Sequence, residues 1–379
     1  MEKRILFLAH DAGLYGANQS LMNMISALKA KNIFASVIFP FPGGVCDVFK
    51  EKGWDYHIIP FRSELRPKSD GQVDRFLNLL RAFYQKIINF KALRKLEYVV
   101  KVNNINVIHS NSAVIEIGVH LARKHSIAHI WHLREFIHPN YGLHVFGGLE
   151  DYKKKIQNTE NILCVSYSIA KGFGVQNKSL VLYDAVRKQP SHINFGTKDK
   201  YFLFCGALIK NKGIEEAIDA FNVFFSSNKE YRLLIVGEGS KQYEVFLYTK
   251  IKNLGLESHI EFLGFRNDMD ILFSKATAFL MCSRNEAMGR VTVEAMLNSC
   301  IVFGYDDSGT GELIEDQKTG FLYKDIDQLV MYMEAIVTDK KRFDVVRSLA
   351  YQYASENFLE AKFVDKLVEY YDRLKMPQK

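Results

Sequence analysis

Cysteine and proline are scarce in this 379-residue chain, and long apolar runs are missing from it. Five cysteines are an odd number, each stands in or beside an apolar run, and none forms a C-x-x-C pair or sits near a cluster of histidines. That excludes a disulfide scaffold and a zinc-ribbon site, and reads as buried thiols in a reducing compartment. Only 7 prolines accompany 48% hydrophobic and 13% aromatic residues, which excludes a disordered chain. No stretch approaches the roughly 20 apolar residues of a membrane-spanning helix, and Ile5 to Ala9 is too short for a signal peptide before His10 and Asp11 break it. A cytoplasmic protein is expected, soluble or peripheral on the inner face of the membrane. The excess of basic residues is +7, modest for this length, so no nucleic-acid partner is expected. A dinucleotide fingerprint is also missing: Gly237-Glu238-Gly239 runs on to Gln242 where G-x-G-x-x-G needs glycine.

What is present is alternation. Strand-like runs at Ile5 to Ala9, Ala35 to Phe39, Val107 to His109, His129 to His132, Ile162 to Val165 and Leu180 to Tyr183 are separated by helical patterns. After a polar stretch from Arg187 to Lys200 the pattern restarts with YFLFCG, RLLIVG, HIEFLG, TAFLMC, CIVFG and GFLY. The length, about 2.5 times a typical domain of ~150 residues, agrees with two domains. The expected class is α/β, two Rossmann-like domains over 1–184 and 185–355, with a C-terminal helix at about 356–379 packing back on the first. Ligands of such sheets sit beyond the carboxyl ends of the strands, so those turns are where chemistry is sought.

The sharpest of them is EAMGRVTVEAM, after the strand TAFLMC. A helix is expected to begin near Gly289, whose missing side chain leaves the backbone N–H groups of Arg290 and Val291 open to a phosphate. Glu286 then lies in the loop before that seat and Glu294 about one turn down the helix, one carboxylate suited to a sugar's hydroxyls and the other to a ribose. By spacing alone both could be solvated helix residues. Upstream, FCGALIKNKGIEEAIDAF places Gly206, Lys210 and Lys212 at another strand end, where a lysine neutralises charge on a leaving diphosphate. Gly237 forms a further tight turn in IVGEG, and Gly309, Gly311 and Glu312 one more in SGTGELI.

The ordered series GALIKNKG, IVGEG, FLGF, EAMGRVTVEAM, SGTGELI and TGFLY resembles the GT-B glycosyltransferases, in particular the retaining family 4 with its many bacterial surface-polysaccharide enzymes. The resemblance is close over about residues 160 to 325. It implies two domains facing across a cleft, the second holding a nucleotide-sugar co-substrate and the first presenting a glycan or lipid-linked acceptor, with no metal and no other cofactor. It further implies that Lys212 meets the donor diphosphate, Glu294 the ribose and Glu286 the transferred sugar. One departure stands out: Ala207 follows Gly206 where the family has an arginine, and Lys210 or Arg290 is left to supply that charge. If neither does, the chain is a weakened or inactive paralogue acting as a binding or scaffolding subunit.

The first half resembles the family more loosely. HDAGLYGANQSL has a glycine turn after the first strand, which makes Gly16, Ala17 and Asn18 donor-side candidates. IWHLREF places His132 and Arg134 at a strand end, His132 resembling the family's histidine near the donor sugar and Arg134 suited to the acceptor. In VIHSNSA, His109 and Asn111 are acceptor candidates. Asp268-Met269-Asp270 and Asp325-Ile326-Asp327 spell D-x-D, read here as helix caps rather than a metal site. Finally, residues 62–101 hold ten basic residues (Arg62, Arg66, Lys68, Arg75, Arg81, Lys86, Lys91, Arg94, Lys95, Lys101) against four acidic ones. Interleaved Phe76, Leu77, Leu80, Phe83, Tyr84, Ile87, Ile88, Phe90 and Leu93 suit a helix with core on one face and basic charge on the other, the charge attracted to an anionic membrane or simply solvated.

Overall fold

Runs of branched and aromatic residues form the strands, and most are buried on both faces, as parallel sheets covered by helices require. In a computed structural model, which describes residues 2–14, 16–67, 72–137, 143–145, 147–189 and 196–376, the chain divides into two units, Met1–Ala185 with Glu360–Lys379 and Val186–Leu359. In the first unit the strands are β1 (Arg4–Leu8), β2 (Phe34–Phe39), β3 (Tyr56–Ile58), β4 (Leu65–Pro67), β5 (Val107–Ser110), β6 (Ala128–Leu133), β7 (Leu143–Val145), β8 (Ile162–Cys164) and β9 (Leu180–Val181). Seven of them form a parallel sheet in the order β3-β2-β1-β5-β6-β8-β9, while β4 and β7 pair antiparallel by themselves. The second unit is a parallel sheet of β10 (Tyr201–Cys205), β11 (Arg232–Val236), β12 (Ile260–Gly264), β13 (Ala278–Met281), β14 (Ile301–Tyr305) and β15 (Phe321–Tyr323), in the order β12-β11-β10-β13-β14-β15.

Side-chain alternation divides the first core in two. Ile5 and Phe7 join the layer that holds Leu21, Ile25 and Leu28, while Leu6 and Leu8 face Leu96, Ile108 and Leu121. The helix Glu360–Asp372 belongs to the first unit, burying Phe363, Leu367 and Tyr371 in the former layer. Each such side chain stabilises that return by roughly 1.5–3 kcal/mol.

The strand orders locate the ligand crevices. In the first sheet the chain runs outward from β1 to β3 and then resumes on the other side of β1 with β5. In the second it runs from β10 to β12 and resumes beside β10 with β13. The switch points therefore lie between β1 and β5 and between β10 and β13, at the strands' carboxyl ends.

The helix Gln72–Val102 departs from expectation. Its buried stripe is narrow, made of Ala82, Gln85, Ala92, Leu96, Val99 and Val100. Phe76, Leu77, Leu80, Phe83, Tyr84, Ile87 and Phe90 stand exposed beside the basic residues instead of forming core, Phe83 being 67% accessible. Apolar residues fill more of the helix circumference than one face can bury. Lys68 and Asp70 of this stretch lie outside the described residues, as do the side chains of Arg66, Asp74 and Arg75. Among the described residues, no helix is long and apolar enough to cross a membrane.

Candidate active site

Four strand-end loops of the second unit interlock through glycines. A Cβ on Gly237 would lie 1.9 Å from the carbonyl oxygen of Gly206, so the turns after β10 and β11 meet backbone to backbone. Gly213 has φ +72°, and a Cβ there would come 2.2 Å from the carbonyl oxygen of Cys282. The Arg284 N–H donates to Asn211 O at 3.0 Å, tying the loop after β10 to the loop after β13. The Gly309 N–H donates to Glu286 O at 2.9 Å, adding the loop after β14.

This interlock brings Lys212 and Glu286 together across the β10/β13 switch point as an ion pair. Glu286 is the more buried partner, its side chain 15% accessible against 32% for Lys212. Gly289, in the left-handed region at φ +84°, opens the helix Arg290–Leu297. Glu294 lies one turn along it, where burial raises its carboxyl above the ordinary 4.5, opposed by the Arg290 guanidinium at 3.9 Å. Lys210 is exposed on the short 3-10 turn Lys210–Lys212, and Ala207 is exposed as well. Two carboxylates, two cations and a helix start thus surround the crevice, a set suited to hold a diphosphate and the polyols on either side of it.

In the first unit the turn after β1 is shaped by Asp11, whose Oδ1 accepts from the Gly13 N–H at 2.5 Å. Asn18 is 4% accessible and donates from Nδ2 to the carbonyls of Asp11 (3.2 Å) and Gly13 (2.8 Å). Gly16 and Ala17 open the helix Gly16–Ala30 beside this turn. Behind it, fully buried His109 and His132 join in a chain: Arg134 Nη1 to His132 Nε2 at 3.5 Å, His132 Nδ1 to His109 Nε2 at 3.1 Å, and His109 Nδ1 to Tyr371 Oη at 2.9 Å. A guanidinium can only donate, which fixes both tautomers in turn: each imidazole accepts on the arginine side and donates onward. Arg134 closes the chain with two hydrogen bonds to Asp184, at 2.9 and 2.5 Å. Burial holds both imidazoles well below 6.5, hence neutral.

The family described as glycosyl transferases group 1 matches residues 186–352, nearly the whole second unit. A glycosyltransferase of Methanocaldococcus jannaschii, MJ1178, is 27% identical over 77% of this chain and 83% of its own. The structure of Anabaena HepE, solved with UDP and glucose, superposes with a TM-score of 0.78 at 19% identity, covering 98% of this chain and 100% of that one. The second unit is a group 1 glycosyltransferase domain, and the chain as a whole has the GT-B fold. A further relative, 28% identical over 55% of this transferase and 56% of its own chain, is a Campylobacter jejuni N-acetylgalactosaminyltransferase acting on a diphospho-undecaprenol-linked sugar.

In this glycosyltransferase the second-unit candidates Gly206, Lys210, Lys212, Gly237, Glu286, Gly289, Arg290, Val291 and Glu294 all fall on strand-end loops or the helix they open. Several first-unit candidates are engaged with partners inside their own unit. His132 is the next-to-last residue of β6, at the strand end as expected, and both His132 and His109 are fully buried with their ring nitrogens engaged in that chain of hydrogen bonds. Arg134 is held by Asp184 in a buried pair, its side chain 5% accessible, and does not present itself to an acceptor. The Asn18 amide holds the glycine turn through its two hydrogen bonds. Asn111 is buried too, but its Oδ1 has no hydrogen-bond partner and it follows β5 at the switch point. Of the two acidic triplets, Asp325 does cap its helix by accepting from the Gln328 N–H. Asp268 makes no side-chain cap and pairs with Arg266, and Asp270 pairs with Arg187. Asp184 and Tyr371 were not singled out from the sequence, since each gains meaning only from a partner 50 or 262 residues away.

Proposed function

We propose that this glycosyltransferase moves a sugar from a nucleoside-diphosphate donor held by the second unit to a lipid-linked hydroxyl, with retention of configuration. The observation that carries the reading is the Lys212–Glu286 pair at the β10/β13 switch point, with Glu294 one turn along the helix that follows. In the proposed complex the donor diphosphate takes Lys212, freeing Glu286 for the hydroxyls of the sugar, while Glu294 receives the ribose. Lys210 or Arg290 supplies the second cation that Ala207 does not. Lys212 stabilises the negative charge growing on the leaving diphosphate, whose oxygen accepts the proton of the incoming hydroxyl on the same face. UDP and glucose in HepE support the donor class, and the diphospho-undecaprenol substrate of the Campylobacter relative supports the acceptor class. The exposed aromatic and basic helix Gln72–Val102 supports delivery at an anionic membrane surface.

The test is a thermal-shift screen of UDP, GDP, ADP and their sugar conjugates, followed by turnover with the stabilising donor and NMR assignment of the product's anomeric configuration. Stabilisation by one base and retention are expected. No stabilisation by any of them, or an inverted product, refutes the proposal. Because Asp268 and Asp270 are engaged in ion pairs and Asp325 in a cap, turnover is expected to persist in EDTA. Activity that vanishes in EDTA and returns with Mn²⁺ overturns that expectation.

A further inference from the structure

At the opposite, amino edge of the second sheet lies a cavity of about 350 Å³, ringed by the residues that precede three central strands. Lys198 and Lys200 lead into β10, Tyr231 into β11 and Thr277 into β13. The helix Lys340–Asn357 closes it with Lys340, Phe343, Asp344 and Arg347, whose spacing of three, four and seven residues lines one helix face. Four cations thus line the cavity with one carboxylate, Asp344, which is paired with Arg347, while Lys200 pairs with Glu230 at 3.4 Å outside the lining. Arg347 is 6% accessible, and its Nε is buried with no hydrogen-bond partner. Lys198 is mostly buried and donates to the carbonyls of Ser274 (2.5 Å) and Ser299 (2.9 Å); burial lowers its pKa from 10.5 to about 8. The helix begins Lys340-Lys341-Arg342 behind an Asp339 cap, whose carboxylate accepts from the Arg342 N–H at 3.3 Å.

We propose that this cavity binds a phosphate dianion carried by a small molecule, at a site separate from the donor loops. Its volume is at the lower end of ligand pockets, suited to something of hexose phosphate size. Lys198, Lys340 and Arg347 meet the phosphate, and Tyr231 and Phe343 offer an apolar wall to the carbon skeleton. The donor loops leave the carboxyl ends of the same strands, so the two sites sit at opposite edges of one sheet.

Isothermal titration tests this on the full chain in saturating UDP, GDP and ADP together, so that the donor loops are filled whichever base they take. Inorganic phosphate and glucose 6-phosphate are titrated, with glucose as the control. One saturable site is expected, tighter for glucose 6-phosphate than for phosphate, silent to glucose, and weakened at least tenfold in Arg347→Gln and in the surface double variant Lys200→Gln/Lys340→Gln. The double variant changes two exposed lysines and keeps the test valid if Arg347→Gln fails to fold. No saturable phosphate binding, binding unchanged in the double variant, or equal affinity for phosphate and its ester each overturn the proposal.

Discussion

Glu286 and Glu294 stand on one short stretch but face different cations, Lys212 and Arg290. In the proposed complex the ribose bonds of Glu294 persist through the reaction, whereas Glu286 meets the sugar whose charge changes. Glu294→Ala is therefore expected to weaken nucleoside-diphosphate binding about tenfold, or about 1.4 kcal/mol, with little change in kcat. Glu286→Ala is expected to lower kcat by about a hundredfold or more and leave nucleotide affinity within about threefold. Calorimetric affinities that fall equally in both variants refute this division. The buried imidazoles give a second prediction. His109, His129 and His132 all have folded-state pKa values depressed by burial, His129 to about 3. Below pH 6.5 the unfolded chain binds protons that the folded chain refuses, so stability is complete above 6.5 and falls as pH drops towards the folded values. Each such histidine contributes a slope of up to about 1.4 kcal/mol per pH unit. Urea unfolding between pH 7 and pH 5 should show this, and His129→Gln should remove about one histidine's share. An unchanged slope in that variant contradicts the assignment.

Among the elements, the strand-end glycines bear the tightest geometry. Gly213→Ala forces a side chain onto Cys282 O at positive φ, and it directly follows Lys212. It is expected to cost about 1–3 kcal/mol of stability and to weaken nucleotide binding, read by thermal unfolding and titration. Gly255→Ala, also at positive φ but with nothing within 4 Å of its Cβ, should lose about 1 kcal/mol and bind nucleotide normally. If both variants bind nucleotide equally well, the glycine interlock does not shape the donor site. These loops were legible in the sequence because each strand of the second unit is a run of apolar residues with its polar or glycine-rich turn directly after it. The first unit was less so. The runs LRP and LHV are too short and mixed to announce β4 and β7. His109 and His132 read like exposed strand-end chemistry because the side chains that bury and bond them, Tyr371 and Arg134 with Asp184, come together only through tertiary structure. On Gln72–Val102 apolar residues occupy several faces, so periodicity found a helix but not which face it buries.

For the whole molecule, the proposed delivery at a membrane rests on the distribution of charge and exposed apolar surface along one helix. Arg81, Lys86, Arg94 and Lys95 share one helix with exposed Phe83 and Phe90, and the Arg94 guanidinium lies 4.9 Å from the Phe90 ring centroid. Near an anionic surface each engaged Lys or Arg is worth on the order of 1 kcal/mol, so three of them shift partitioning roughly a hundredfold. Salt shortens the Debye length from ~10 Å at 0.1 M to ~3 Å at 1 M and weakens that part, while insertion of aromatic rings is not screened. Two variants separate the contributions. Arg81→Gln/Lys86→Gln/Arg94→Gln/Lys95→Gln should abolish the salt-sensitive part of binding to vesicles containing phosphatidylglycerol, and Phe83→Ser/Phe90→Ser should abolish what remains at 1 M salt. Both should bind nucleotide as the wild type does, because the helix belongs to the first unit and the donor loops to the second. Co-sedimentation that finds the wild type indifferent to anionic vesicles at low salt shows that this helix face meets water alone, and the membrane route to the acceptor then falls.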